Sequence, residues 1–172
     1  MAEIQPFDFT ALPIFGAAIL LLIAIYSDIT RFQIPNLLCL ALALLFLVFG
    51  YLNVISLENA LLRVGIGGAV LVVGMVLNFK GYVGGGDVKL LAAMSLWIFP
   101  ADWPLFMLSV MIFGGILALA VLILRKLKAR LTENVIVRGH FGNLLAENEG
   151  IPYGVAIGLA GLIRLGDVLE GL

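Results

Sequence analysis

Two aspartates, Asp28 and Asp87, stand at the edges of long apolar segments of this chain. Asp28 follows an uncharged apolar stretch, and Asp87 directly follows the glycine run 84–86. An ionisable group at a membrane boundary is costly unless it is solvated, paired or used in a reaction. Two carboxylates that meet can share one proton, so that one acts as a base while the other acts as an acid. The pair therefore indicates acid–base chemistry, such as the activation of a water molecule.

Each aspartate also has a structural interpretation. Asp87 stands where the next helix is expected to begin, and aspartate is a good N-cap that favours the positive end of a helix dipole. Spacing alone does not decide between a cap and a catalyst. Asp28 lies near the C-terminal end of the first apolar segment, where a negative charge opposes the dipole. Its structural alternative is an ion pair with Arg31, three residues later.

The composition places these carboxylates in a membrane protein. Of the 172 residues 63% are hydrophobic and 12% are charged, and the mean hydropathy is +1.17. A water-soluble domain of this size cannot bury so much apolar surface. The net charge of −1 argues against nucleic acid as a partner. The single cysteine, Cys39, excludes an internal disulfide and a cysteine zinc cluster within one chain.

Six apolar segments predict the helices that must position the aspartates. A bilayer core of ~30 Å needs about 20 helical residues, and the clearer spans are 9–26, 34–52, 60–79 and 105–124. Two shorter segments, 88–99 and 151–163, have re-entrant or buried helices as their alternative. The opening of the chain is acidic, unlike a cleaved signal peptide, so we expect the first segment to remain as a span.

The basic residues predict the orientation of these six spans. Alternating connections place eight of the ten lysines and arginines on one side: Arg31, Lys80, Lys89, Arg125, Lys126, Lys128, Arg130 and Arg138. The positive-inside rule makes that side cytoplasmic. The sequence therefore predicts an all-α polytopic integral membrane protein with six transmembrane helices and both termini outside. Asp28 and Asp87 then lie together at the cytoplasmic face.

Smaller features of the spans concern packing and the membrane surface. Two patches of small residues allow close helix approach, by a neighbouring helix or by a helical substrate. One is Gly154 and Gly158 with Ala156, Ala160 and Gly161, and the other is Gly65, Gly68 and Ala69. Arg63 is expected to snorkel to the end of its span. The polar connection 125–150 begins with a basic cluster suited to anionic headgroups, and its His140 is expected to be solvated.

Three motifs together resemble a known family, the type IV prepilin peptidases, which are membrane aspartic proteases of the GxGD class. Asp28 is followed six residues later by Ile34-Pro35-Asn36, and the matching GxGD residues are Gly84, Gly86 and Asp87. The segment 151–156, Ile-Pro-Tyr-Gly-Val-Ala, resembles the motif in the family's final helix. The motifs occur in the family's order, from the first span to the last.

The resemblance implies that Asp28 and Asp87 are the catalytic pair, without a metal or cofactor. The other matching positions are expected to bind substrate or support the site: Pro35, Asn36, Gly84, Gly86, Lys89, Pro152, Tyr153 and Gly154. The implied substrate is a prepilin, with a basic leader and a hydrophobic helix, cut after a glycine. The lipid bilayer and the pilus assembly machinery are the implied partners, and the bacterial inner membrane is the implied location.

The chain also differs from the larger members, which carry an N-terminal region with paired CxxC motifs linked to N-methylation. It looks like the short form of tight-adherence (Flp-type) pilus systems, so we expect one peptidase domain, 1–172, without methyltransferase activity.

Other functions stay open at this point. The nearest is a GxGD protease for preflagellin or another signal-bearing protein. A small proton-coupled transporter would use the aspartates as a relay, although its polar site should lie near the bilayer midplane. A non-catalytic pilus assembly subunit would use Asp87 only as a cap.

Overall fold

The computed structural model describes residues 9–131 and 150–171, without the side chains of 128–131. Its α-helices are α1 (Leu12–Arg31), α2 (Asn36–Leu52), α3 (Leu57–Phe79), α4 (Gly85–Ser95), α5 (Trp103–Leu131) and α6 (Tyr153–Glu170). Short 3-10 helices, Phe9–Ala11 and Pro100–Asp102, precede α1 and α5. No residue in the described ranges forms a strand, which confirms the all-α prediction for this part of the chain.

Helix length separates clear candidate spans from shorter helices. Within the described residues, Phe9–Arg31, Leu57–Phe79 and Pro100–Leu127 are long and apolar enough to cross a membrane. The apolar helix Asn36–Leu52 is shorter, at 17 residues. α4 has 11 residues, and a rise of about 16 Å covers roughly half of a bilayer core. The apolar helices indicate a membrane protein, while full spanning by α4 and α6 stays a prediction.

The short helix α4 lies at the centre of the helix arrangement. It packs against α2, α3 and α6, while α1 packs against α2 and α6, and α5 packs against α6. The chain after α4 is anchored by Trp97, which is fully buried. Its indole N–H donates to the carbonyl of Leu42 at 3.1 Å, and its ring contacts Phe46 and Phe49. The helix that carries Asp87 is therefore surrounded by protein rather than lipid on most sides.

The helix connections meet at one end of the bundle. Residues from the connection between α1 and α2, the connection between α3 and α4, and the start of α6 line a common cavity. Arg125 of α5 donates to the carbonyl of Gly150, just before α6, at 3.5 Å. Consecutive helices therefore alternate in direction, and the connections that carry Arg31 and Lys80 lie at the same end.

One of the two small-residue patches packs as predicted. Gly154, Gly158 and Gly161 are buried, as are Ala156 and Ala160. A Cβ added to Gly158 would lie 2.5 Å from Cγ1 of Ile25 in α1. Since no side chain fits there, the small residues let α1 and α6 approach closely.

The other patch, at Gly65, Gly68 and Ala69, does not pack against another described helix of this chain, so its use as a seat for a helical substrate stays a prediction. All three residues are exposed, and a Cβ at either glycine would meet no described atom within 4 Å. The close approach between α3 and α4 uses Gly67 and Gly74 instead. A Cβ at Gly74 would lie 2.5 Å from Cγ1 of Val88.

Arg63 does not snorkel, contrary to the sequence expectation. Its side chain is 2% exposed, and Nη1 donates to the carbonyls of Leu96 and Trp97, each at 3.4 Å. Its guanidinium carbon lies 4.3 Å from the ring centroid of Phe99. These carbonyls directly follow α4, at the C-terminal helix end where a cation is favourable. Arg63 therefore holds that end of α4.

Several sequence expectations fall outside the described residues. They concern the acidic opening 1–8, Arg138, His140 and the side chains of Lys128 and Arg130.

Candidate active site

Asp28 lies in the last turn of α1 and is 4% exposed. It forms no ion pair with Arg31, so the ion-pair alternative was wrong; the salt bridge found in the described residues joins Arg164 to Asp167. Oδ2 of Asp28 makes no hydrogen bond, although the backbone amides of Gly154 and Val155 lie beside the carboxyl group. Those amides belong to the first turn of α6, whose dipole favours a negative charge. A buried carboxyl group without a side-chain partner is therefore held at a helix N-terminus.

Phe32, in the turn after Asp28, is the residue at which the backbone leaves α1. Phe32 adopts the left-handed region, with φ 51° and ψ 31°, and its N–H donates to the carbonyl of Asp28 at 3.0 Å. The Ser27 hydroxyl donates to the carbonyl of Gln33 at 2.7 Å and closes the turn. Pro35 then adopts an extended conformation and precedes α2. This turn places the Ile34-Pro35-Asn36 motif beside the Asp28 carboxyl group.

Asp87 is the third residue of α4, so its prediction as the N-cap was wrong. Gly84 is the N-cap, with extended backbone angles, and Gly85 and Gly86 form the start of the helix. The Asp87 carboxyl group turns back toward the cap, since a Cβ at Gly84 would lie 2.7 Å from its Oδ2. A Cβ at Gly86 would lie 3.2 Å from Cβ of Ile34. Glycines at these positions therefore let the helix begin against the neighbouring turn with Asp87 at its first turn.

Asp28 and Asp87 face one another across Gly154. The backbone amide of Gly154 lies beside both carboxyl groups. A Cβ at Gly154 would lie 2.7 Å from Oδ2 of Asp28 and 2.5 Å from Cδ1 of Ile34. The two aspartates thus come from different helices, and a third helix contributes the backbone between them.

The two carboxyl groups line a cavity of about 900 Å³ at one end of the helices. The other lining residues are Phe32, Gln33, Ile34, Asn36, Gly81, Tyr82, Val83, Gly84, Gly85, Gly86, Gly150, Ile151 and Tyr153. Asp28 and Asp87 are the charged residues among them. The cavity can hold a short peptide segment together with water, which are the reactants of an acid–base hydrolysis.

The structure brings most of the residues of the predicted site together. Asn36, Gly84, Gly86 and Tyr153 line the cavity with the two aspartates. The other four predicted residues do not line the cavity but are next to residues that do: Pro35, Lys89, Pro152 and Gly154. Lys89 Nζ donates to Oδ1 of Asn36 at 2.8 Å, which joins α4 to α2, and Pro152 is the N-cap of α6.

Phe32 and Gln33 line the cavity but were not identified from the sequence. They stand between Asp28 and the Ile34-Pro35-Asn36 motif, and this position could have identified them in the sequence as residues near the site. In the residues from 9 to 131 and from 150 to 171, no group of three or more His, Cys, Asp or Glu could hold a metal ion.

The helices and the cavity define a helical membrane protein with two carboxylates at one end of its bundle. A family model described as the type IV leader peptidase family matches residues 15–119, which is more than half of the chain. The chain belongs to this family, and it is therefore a protease of the leader peptidase type. Comparison with curated proteins found no match, and comparison with solved structures found none either.

Proposed function

We propose that this protein is an aspartic endopeptidase that removes the basic leader of type IV, Flp-like prepilins at the cytoplasmic face of the membrane. The observation that carries the proposal is that Asp28 and Asp87, from two different helices, line one cavity. Membership of the leader peptidase family supports the reaction class.

In the proposed mechanism the two aspartates share one proton. The ionised carboxylate takes a proton from a water molecule, whose oxygen then attacks the carbonyl carbon of the scissile peptide bond. The protonated partner donates its proton to the carbonyl oxygen as negative charge develops there. Collapse of the tetrahedral intermediate breaks the C–N bond, and a proton passes to the leaving amine. Water is added across the bond, and the pair regains its single proton.

The surroundings of the carboxyl groups support this division of roles. Asp87 lies in the first turn of α4, and Asp28 faces the first turn of α6, so both lie near positive helix ends. Each is more than half buried, which opposes a second negative charge in the same cavity. Together these effects favour a singly charged pair, which is the state that the mechanism requires.

The position and charge of the cavity support a peptide substrate with a cationic segment. Among the described lining residues there is no lysine or arginine, while the two aspartates supply negative charge. The cavity lies at the end of the helices rather than midway along them, which suits a cut at the membrane boundary. This placement and the family also favour a peptidase over a transporter, whose site should lie near the midplane.

The experiment replaces each aspartate by its neutral isostere and follows leader removal from a coexpressed prepilin. We expect Asp28→Asn and Asp87→Asn each to abolish cleavage, because neither variant can share a proton between two carboxyl groups. Asp102→Asn is the matched control, since Asp102 is exposed and outside the cavity. Membrane levels of all variants are compared on the same gel. Normal cleavage by either dyad variant contradicts the aspartic mechanism.

A further inference from the structure

Phe32 has a backbone conformation that its residue type does not favour. Its φ of 51° lies in the left-handed region, and among the described non-glycine residues only Val54 also has a positive φ. A helix that ends through this conformation usually has glycine or asparagine at the position, because a Cβ there crowds the backbone. The turn 32–35 therefore keeps a bulky side chain at a position where a smaller residue would be less strained.

Phe32 is part of the cavity wall that also contains Asp28. Phe32 is half-buried and lines the cavity together with the apolar residues Ile34 and Ile151. It follows Asp28 by four residues, which corresponds to about 6 Å along a helix axis. An extended peptide advances about 3.3 Å per residue. A substrate with its scissile carbonyl at Asp28 would therefore place a side chain near Phe32 within two residues of the cut bond.

We propose that the Phe32 side chain contacts an apolar side chain of the substrate within two residues of the scissile bond and thereby helps to determine cleavage-site selectivity. This inference rests on the proposed function. Strained backbone that persists beside a reactive group is a sign that the side chain is used there. Phe32 adds to the apolar part of a cavity wall that also contains Ile34, Val83 and Ile151.

Substitutions at Phe32 separate the contribution of the ring from that of the backbone. Phe32→Ala removes the ring and keeps the strain, Phe32→Gly removes both, and Phe32→Leu keeps an apolar side chain and the strain. We expect the thermal midpoint of Phe32→Gly in detergent to exceed that of Phe32→Ala by about 2–4 °C. We expect both to lose about tenfold in kcat/KM, and Phe32→Leu to stay within about threefold of the wild type.

The substrate series then locates the contact. The probes are fusion proteins with a basic leader and an apolar helix that keep the glycine before the scissile bond. Each carries either leucine or alanine at the second residue before the bond or at one of the first two residues after it. For the wild-type protein we expect a preference for leucine at one position. Phe32→Ala should reduce that preference about tenfold and leave the ratios at the other positions unchanged, because groups in contact are coupled whereas distant groups contribute independently.

The possible results distinguish this inference from the proposed function. If the wild-type protein cleaves the probes but Phe32→Ala changes no leucine-to-alanine ratio, the substrate contact is wrong. The same conclusion follows if Phe32→Gly keeps wild-type activity, because the position then matters only for the backbone. If the wild-type protein cleaves none of the probes, the proposed function itself fails.

Discussion

At the residue scale, the site depends on how little space separates the two carboxyl groups from the backbone of α6. Gly154 provides the amide beside both aspartates, and its Cα faces the Asp28 carboxyl group. The Cβ of any other residue at this position would lie 2.7 Å from Oδ2 of Asp28, closer than such atoms can approach. Gly154 therefore supports the site because it has no Cβ, which leaves room for the Asp28 carboxyl group.

This arrangement leads to a prediction for Gly154→Ala. The added Cβ would lie 2.7 Å from Oδ2 of Asp28, so the carboxyl group must move. A misplacement of about 1 Å at a reacting group costs on the order of 100-fold in rate, and we expect that loss in kcat. Leader cleavage by the purified variant measures it. Gly166→Ala is the matched control on the same helix, since a Cβ there meets no described atom within 4 Å. Equal activity of the two variants would show that Asp28 tolerates displacement.

The sequence predicted correctly that the two aspartates lie together, but it did not predict the local structure around Asp87. The motifs around Asp28 and Asp87 indicated that they belong together, and the structure places both in one cavity. Asp87 was expected as the N-cap because glycine has a low helix propensity, which suggests a helix that begins after the glycine run. The helix begins at Gly85 instead, since the close approach of Ile34 to Gly86 requires a small residue there. Such contacts between distant segments cannot be read from local propensity.

At the scale of elements, α4 links the site to the buried interior of the bundle. Its first turn carries Asp87, and its C-terminal end is bound by the buried guanidinium of Arg63. Snorkelling was expected because a lipid-facing arginine seeks water, but this side chain faces carbonyl groups inside the protein. Periodicity and hydropathy located the helix α3, but they could not show which of its faces would meet the end of α4.

This contact leads to a prediction for Arg63→Ala. The substitution leaves a cavity and removes the donor to the carbonyls of Leu96 and Trp97. We expect a loss of about 2–4 kcal/mol in the free energy of unfolding, seen as a lower thermal midpoint in detergent. Arg63→Lys should recover only part of it, because one ammonium group cannot reproduce the planar fork of a guanidinium. Lys126→Ala is the control, since Lys126 is exposed. An unchanged midpoint for Arg63→Ala would mean that α4 does not need this contact.

At the scale of the whole molecule, the end of the bundle that contains the cavity is also the side to which the sequence assigned most basic residues. The structure brings the connections after α1 and α3 to the end that contains the cavity, and the sequence assigned most basic residues to that side. The turn between α2 and α3, which includes Val54, follows the opposite end of α2. The alternating direction of the helices could be predicted from hydropathy. The central position of α4 could not, because its 11 residues resemble a short membrane span.

The remaining prediction concerns the orientation of the molecule in the membrane. The positive-inside rule predicts that the end with the cavity faces the cytoplasm. The chain has a single cysteine, Cys39, which is 6% exposed, so an introduced cysteine can be labelled with little background. Tyr82 at the cavity and Val54 at the other end are 75% and 86% exposed, which makes Tyr82→Cys and Val54→Cys a matched pair. We expect a membrane-impermeant maleimide to label Val54→Cys in intact spheroplasts and Tyr82→Cys only in inside-out vesicles, while the wild-type chain stays unlabelled in both. The reverse pattern would place the cavity outside, where a leader that stays in the cytoplasm could not reach the two aspartates, and the proposed cleavage at the cytoplasmic face would be wrong.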